Sequence, residues 1–205
     1  SSAASDVYKR QEFKDRTIEA WTGGRDGKGV IHATRTGYYI YKFIDPNLDL
    51  LQNRTSVHHW VIMRYAEILL SYAEAMNEAY GPTGNVGYRL NAVRALNQVR
   101  NRVGVEMPAV PTAISKEELR EKIRNERRVE LAFEDHRFWD VRRWMIAPET
   151  LGTPLRGVEI TKISDEEFEY KPIEVEKRTF EPKMYLYPIP QADLNTTGWV
   201  QNPLW

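Results

Sequence analysis

Glutamates recur every four residues at Glu126, Glu130 and Glu134 inside the segment Asn125 to Trp144, NERRVELAFEDHRFWDVRRW, which also carries Arg127, Arg128, Arg137, Arg142 and Arg143. Carboxylates serve as general acids, nucleophiles or metal ligands, so chemistry is sought here first. The spacing stacks the three acids on one helix face, continuing the row of Leu119 and Ile123, and such a face packs against protein. Carboxylates persist in such places when paired, and the arginines offer planar donors within three or four residues of an acid. The pattern therefore predicts an ion-pair lattice that fixes helix packing rather than a catalytic centre. A glycosidase needs two carboxyls about 5 to 10 Å apart across a sugar. Glu134 and Asp140 come nearest to that role, but acids among so many arginines have depressed pKa values and make poor proton donors.

Metal and nucleotide chemistry find less support. His136 follows Glu134 by two residues and has no Glu-x-x-His counterpart, while the adjacent His58 and His59 would point apart on a helix. Neither G-x-S-x-G nor H-E-x-x-H occurs. Gly27-Lys28-Gly29 ends a glycine cluster like that of a phosphate loop, yet that motif needs Gly where Thr22 stands and Ser or Thr where Gly29 stands.

Binding asks less of the chain. A Trp or Tyr on a loop can stack on the C–H face of a sugar while Asn, Asp, Arg or Gln hydrogen-bonds its hydroxyls. Trp21, flanked by Thr22, Arg25 and Asp26, is the foremost candidate, with Tyr38, Tyr39 and Tyr41 behind it. The competing reading of Trp21 is a plug between this loop and the helices. Trp139 and Trp144 read as cation–π and core elements, and Trp60 as a wedge at the start of a helix. The 205 residues carry 29 basic and 29 acidic side chains, which leaves no net field to draw nucleic acid. Six Trp and 11 Tyr serve a core or flat apolar ligands, and the absence of cysteine excludes disulfides and thiolate chemistry. No run of about 18 apolar residues is present to span a membrane as a helix.

The elements that must position these residues follow from periodicity. Thr55 or Ser56 caps a helix whose apolar row runs from Val61 to Tyr80, and Gly81-Pro82 stops it. Leu90, Val93, Leu96, Val99 and Val103 mark a second helix ended by Gly104, with Ala92 and Ala95 allowing close approach to the first. Ser115 and Glu118 write a capping box before a long helix expected to reach about Met145, where Pro148 prevents continuation. Short strands are expected around Val158 to Ile163, Ile173 to Val175 and Met184 to Ile189. Residues 36–43, TGYYIYKF, read as a hairpin or a packed loop with one glycine where backbone approaches closely.

Four blocks stand in one order: RYAEILLSYAEA from Arg64, ALNQVRNRVG from Ala95, the glutamate–arginine segment, and the tail YLYPIPQADLN with QNP. Together they closely resemble the C-terminal region of the SusD-like (RagB/SusD) family, outer-membrane glycan-binding lipoproteins of Bacteroidota. The resemblance implies a mainly α fold: a SusD-like C-terminal part with a tetratricopeptide-type helical hairpin, one long helix and short irregular β elements in loops. It implies non-catalytic capture of an oligo- or polysaccharide at the extracellular face of the outer membrane and delivery to a SusC-like TonB-dependent transporter. No cofactor and no nucleic acid is implied, and contact with the membrane would run only through a lipid anchor that this chain lacks. Much of the family's glycan surface comes from its N-terminal half and variable loops, so the four blocks carry over as fold markers and not as ligand contacts. The alternative is a tetratricopeptide-type scaffold for peptides or proteins, with a glycoside hydrolase a distant third. Residues 1–11, SSAASDVYKRQ, read as a non-native leader from adaptor read-through. Residues 12–205 then read as a SusD-like region truncated on its N-terminal side, in keeping with one hairpin where a solenoid needs about three repeats.

Overall fold

A computed structural model of the chain describes residues 12–13, 16–57 and 59–205. The proposed leader and His58 lie outside the described residues. The fold is mainly α with few short strands, as expected. Two-residue strands β1 (Glu12–Phe13) and β2 (Arg16–Thr17) precede a long irregular stretch, and then helix α1 (Tyr65–Tyr80) begins. That start lies about nine residues beyond the expected Thr55 or Ser56 cap. Arg64 occupies the N-cap in an extended conformation, with φ −143° and ψ 161°, and Ile62 and Met63 before it are exposed, so the early apolar row has no surface to pack on.

Helix α1 and α2 (Ala92–Arg100) make the expected hairpin. Asn91 caps α2 by accepting from the Arg94 amide at 2.9 Å, and Ala92 and Ala95 are fully buried at the contact. Helix α2 ends at Arg100, which leaves Val103 in solvent. The capping box forms as written: Ser115 Oγ accepts from the Glu118 amide at 3.1 Å and Glu118 Oε2 accepts from the Ser115 amide at 3.0 Å. It opens α3 (Lys116–Glu130), whose Leu119 and Ile123 join Leu70, Val93, Leu96 and Val99 in one core.

Instead of reaching Met145, the long helix stops at Glu130 and resumes as α4 (His136–Arg143), followed by α5 (Ala147–Leu151). Pro148 sits in the first turn of α5, where its missing amide costs nothing. The break is imposed by cations from distant segments. Carbonyls at a helix C-terminus lack intrahelical donors, and here Arg64 Nη2 donates to the Glu130 carbonyl at 2.6 Å while Lys42 Nζ donates to that of Ala132 at 2.9 Å. Phe133 and Asp135 adopt φ of 63° and 62°, turning the chain so that Glu134 accepts from the same two cations.

The ion-pair lattice exists, but its cations come from farther away than expected. Glu130 accepts from Arg64 Nη1 at 2.6 Å and Arg102 Nη2 at 2.8 Å, Glu126 from Arg100 at 2.5 Å, and Glu134 from Arg64 Nε at 2.7 Å and from Lys42. Among the nearby arginines, Arg127 and Arg143 turn to Asp140, and Arg143 also grips Glu74. Burial would raise the Glu134 carboxyl, but the donors on Arg64 and Lys42 outweigh it and hold the group below the usual range. Glu74 is held low in the same way, with Arg143 and Trp144 overcoming its burial.

The rest is β and strap. Strands β3 (Leu155–Lys162) and β4 (Phe168–Glu176) pair antiparallel, covering two of the three expected strand regions. The third is not a strand: Pro182–Tyr185 form a 3₁₀ turn, and the extended residues beyond it are held by side chains. The Gln201 carboxamide accepts from the Ile189 amide at 2.8 Å and donates to its carbonyl at 3.0 Å, taking the place of a neighbouring strand. A short helix α6 (Gln191–Thr197), absent from the expectations, follows Pro190. Residues 36–43 are a packed loop: the Thr36 carbonyl accepts from the Val158 amide at 2.8 Å, and a Cβ on Gly37, at φ 78°, would overlap the Val158 carbonyl. The opposing Gly157 is equally confined, since a Cβ there would lie 2.6 Å from the Thr36 oxygen.

Three outcomes follow from these contacts. Glu130→Gln leaves Arg64 and Arg102 facing a neutral amide and should lower stability by about 3 kcal/mol in urea unfolding, whereas a change below about 0.5 kcal/mol would contradict the lattice. Because the folded-state carboxyls of Glu134 and Glu74 sit below their unfolded values, their contribution is complete above the ordinary glutamate pKa and is lost as pH falls through the folded one. Stability should accordingly be flat above about pH 5 and decline below about pH 4, with a shallower decline in Glu134→Gln. Gly37→Ala should cost more than about 1 kcal/mol through steric overlap and positive φ; a variant as stable as the parent would show that the loop is not docked there.

Candidate functional site

The loop between β2 and residue 36 is organised around Asp26. Its carboxylate takes both Arg16 donors, at 2.6 and 2.7 Å, and the Glu19 amide at 2.9 Å. The Arg16 hydrogen bonds hold the Asp26 carboxyl below the usual aspartate range. Tyr39 Oη donates to the Asp26 carbonyl at 2.7 Å and accepts from the Thr34 amide at 3.3 Å. Asp26 and Tyr39 are therefore the internal clamps of the loop, and their polar atoms are spoken for. Between them the glycine cluster turns tightly, Gly27 N–H donating to the Gly24 carbonyl at 3.0 Å.

Trp21 is half-buried and leans on the β hairpin rather than on the helices. Its ring lies 5.4 Å from that of Phe168 at 45°, and Lys162 Nζ sits 5.2 Å from the ring centroid. A stacking ligand would have to displace Lys162, an exchange of one cation–π contact of about 0.5–1 kcal/mol for another contact of similar worth. Arg25 is exposed and loosely paired with Glu19 at 3.8 Å. The rings with free area are Tyr38, 41% exposed, and Tyr41, 39% exposed, the latter edge-on to Phe13 at 6.3 Å. The structure thus brings Trp21, Asp26 and Tyr39 into one loop body and leaves Arg25, Tyr38 and Tyr41 on its surface.

Beside this loop lies a hollow of about 350 Å³ that the sequence did not announce, because its walls come from segments far apart in the chain. Val30, Ile173 and Val175 supply apolar surface, with Lys28, Thr34, Arg35 and Glu174 around them. Lys28 pairs with Glu159 at 3.7 Å and Arg35 with Glu176 at 3.9 Å, both largely exposed, so these contacts hold the cations weakly.

The other aromatics divide. Trp144 fills the cation–π part of its expected role, with Arg124 and Arg143 5.0 and 4.7 Å from its ring and its Nε1 donating to Glu74 at 2.7 Å, but it is only partly buried and joins neither core. Trp139 does not: it is 64% exposed, edge-on to Phe138, at the rim of a groove with Glu67 and His136. Trp60 also faces solvent, because α1 begins after it. The two carboxyls of the hydrolase reading are held apart from such work by their cations, Glu134 by Arg64 and Lys42, Asp140 by Arg127 and Arg143. Among the described residues no cluster of three or more His, Asp or Glu is arranged to hold a metal ion, and no helix is long and apolar enough to cross a membrane.

Comparison with known proteins places this architecture. SusD-like protein P2 of Formosa agariphila is 34% identical over 120 residues, covering 56% of this chain and 22% of that protein. SusD-like protein P38 of the same organism is 35% identical over 104 residues, covering 48% and 19%. A crystal structure of a SusD-like protein from Bacteroides fragilis NCTC 9343 superposes with a TM-score of 0.73 at 33% identity, covering 99% of this chain and 37% of that one. The matched segments thus amount to about a fifth of the length of the two Formosa relatives. The sequence profile described as the SusD family matches residues 5–205, and the chain belongs to that family.

Proposed function

We propose that this chain is the C-terminal part of a protein that captures glycans at the outer-membrane surface without cleaving them and passes them to a SusC-like TonB-dependent transporter. The SusD family is one of carbohydrate-binding proteins, typically associated with the outer membrane and working with such transporters. The observation that carries the reading is the exposure of Tyr38 and Tyr41 on a backbone pinned to β3. A rigid loop presenting flat aromatic area loses little conformational freedom when a sugar stacks on it. The neighbouring hollow combines apolar floor and hydrogen-bonding rim, the mixture a saccharide requires.

Native gels containing a panel of polysaccharides identify the ligand by retardation. With that ligand, Tyr38→Ala and Tyr41→Ala should each lose about 1 kcal/mol of binding free energy by calorimetry, with melting temperature nearly unmoved. Trp21→Ala should lower the melting temperature through lost packing on Phe168. If both tyrosine variants bind like the parent, the loop is not the capture surface.

A further inference from the structure

We infer that the outer face of α2 holds the acidic group of an anionic saccharide. This rests on the glycan-capture reading above and specifies a class of ligand for it. The observation is electrostatic. The chain is neutral overall, and Arg64, Arg100, Arg102, Arg120, Arg127 and Arg143 each hold a carboxylate, whereas Arg128, Arg137 and Arg142 have no ion pair among the described residues but line neither of the acid-free hollows on α2. Arg89 and Arg94 are set apart by sharing one hollow. Both are exposed, neither has an ion-pair partner among the described residues, and both line the same hollow of about 510 Å³. No carboxylate lines that hollow; its remaining walls are Tyr65, Leu90 and Gln98. A contiguous hollow shares Leu90, Arg94 and Gln98 and adds Asn97 and Asn101, again without an acid.

Two unneutralised guanidiniums sharing one concavity repel each other until an anion enters, and planar N–H forks match carboxylate and sulfate oxygens two at a time. The other walls select for a sugar. Tyr65 is 69% exposed and offers a ring face for C–H stacking, and Leu90 gives apolar floor. The Gln98 carboxamide makes no hydrogen bond among the described residues and can serve a hydroxyl, whereas that of Asn97 is already committed to Val110 at 2.9 and 2.8 Å. The volume suits one or two sugar rings within the usual size range of ligand sites. Fixed placement comes from the Asn91 cap, which anchors the first turn of α2 between the two arginines.

The test titrates full-length protein with tetragalacturonate, with its methyl-esterified form, which keeps the backbone and removes the charge, and with a sulfated galactan tetrasaccharide. Carboxylate or sulfate ligand should bind, the ester should not match it, and affinity should fall with added salt. The double variant Arg89→Gln/Arg94→Gln should bind the acidic ligand at least tenfold more weakly, about 1.4 kcal/mol, with its melting temperature unchanged because both side chains are exposed. Undiminished acidic-ligand binding by the double variant overturns the inference, as does a protein that binds only neutral glycans, and either result leaves glycan capture standing. Binding of an acidic peptide through these arginines with no saccharide bound at all overturns both.

Discussion

The guanidinium of Arg64 joins the start of α1 to the end of α3, and most of the helical half is arranged around that junction. One planar group meets two carboxylates and a backbone carbonyl at 2.6 to 2.7 Å. It neutralises Glu130 and Glu134, ends α3 by occupying its terminal acceptor, and holds the α1 N-cap in the extended conformation that delays the helix to Tyr65. Lysine could not substitute geometrically, since an ammonium lacks the fork that spans two carboxylates. Arg102 and Arg100, just past and at the end of α2, complete the arrangement, so three helices converge on one acidic row. The apolar core beneath sets how tightly these helices approach, and the charged row sets their register.

A second, smaller core stands apart, built from Ala20, Val158 and Ile160 with Trp21, Tyr39, Phe168 and Tyr170 around them. The two are connected through Lys42, which leaves the aromatic loop and reaches Glu134 and the end of α3. The loop that displays Tyr38 and Tyr41 is thereby referenced to the helices by a cation and to the β hairpin by paired glycines. A loop held at two ends in this way keeps its shape without a continuous sheet beneath it.

Local patterns were legible in the sequence because their causes are local. The Ser115 capping box, the small residues in α2, the close approach at Gly37 and the β signals of β3 and β4 all depend on neighbours a few residues away. The limits of α1 and α3 were not legible, since Arg64 meets Glu130 across 66 residues and no periodicity encodes such a partner. The same distance hid the cations of the acidic row, which sequence spacing sought among Arg127, Arg128, Arg137, Arg142 and Arg143 and the fold took from Arg64, Arg100, Arg102 and Lys42. For the candidate site, the loop was visible from its glycines and aromatics. The commitment of Asp26 and Tyr39 to each other, the cover of Lys162 over Trp21 and the hollow against β4 required coordinates, because each joins segments separated by a turn or by the length of the chain.

The Gln201 strap bears on how the molecule meets its own kind. An extended segment at a protein edge normally offers a template for strand addition and for aggregation. Here Pro188 and Pro190 have no amide hydrogen, the Leu186 amide is turned inward to Lys183, and that of Ile189 is taken by Gln201, while Asn202 occupies the Tyr187 carbonyl at 2.6 Å. Little is left for another chain to pair with. Side-chain amides thus give this tail a closed edge.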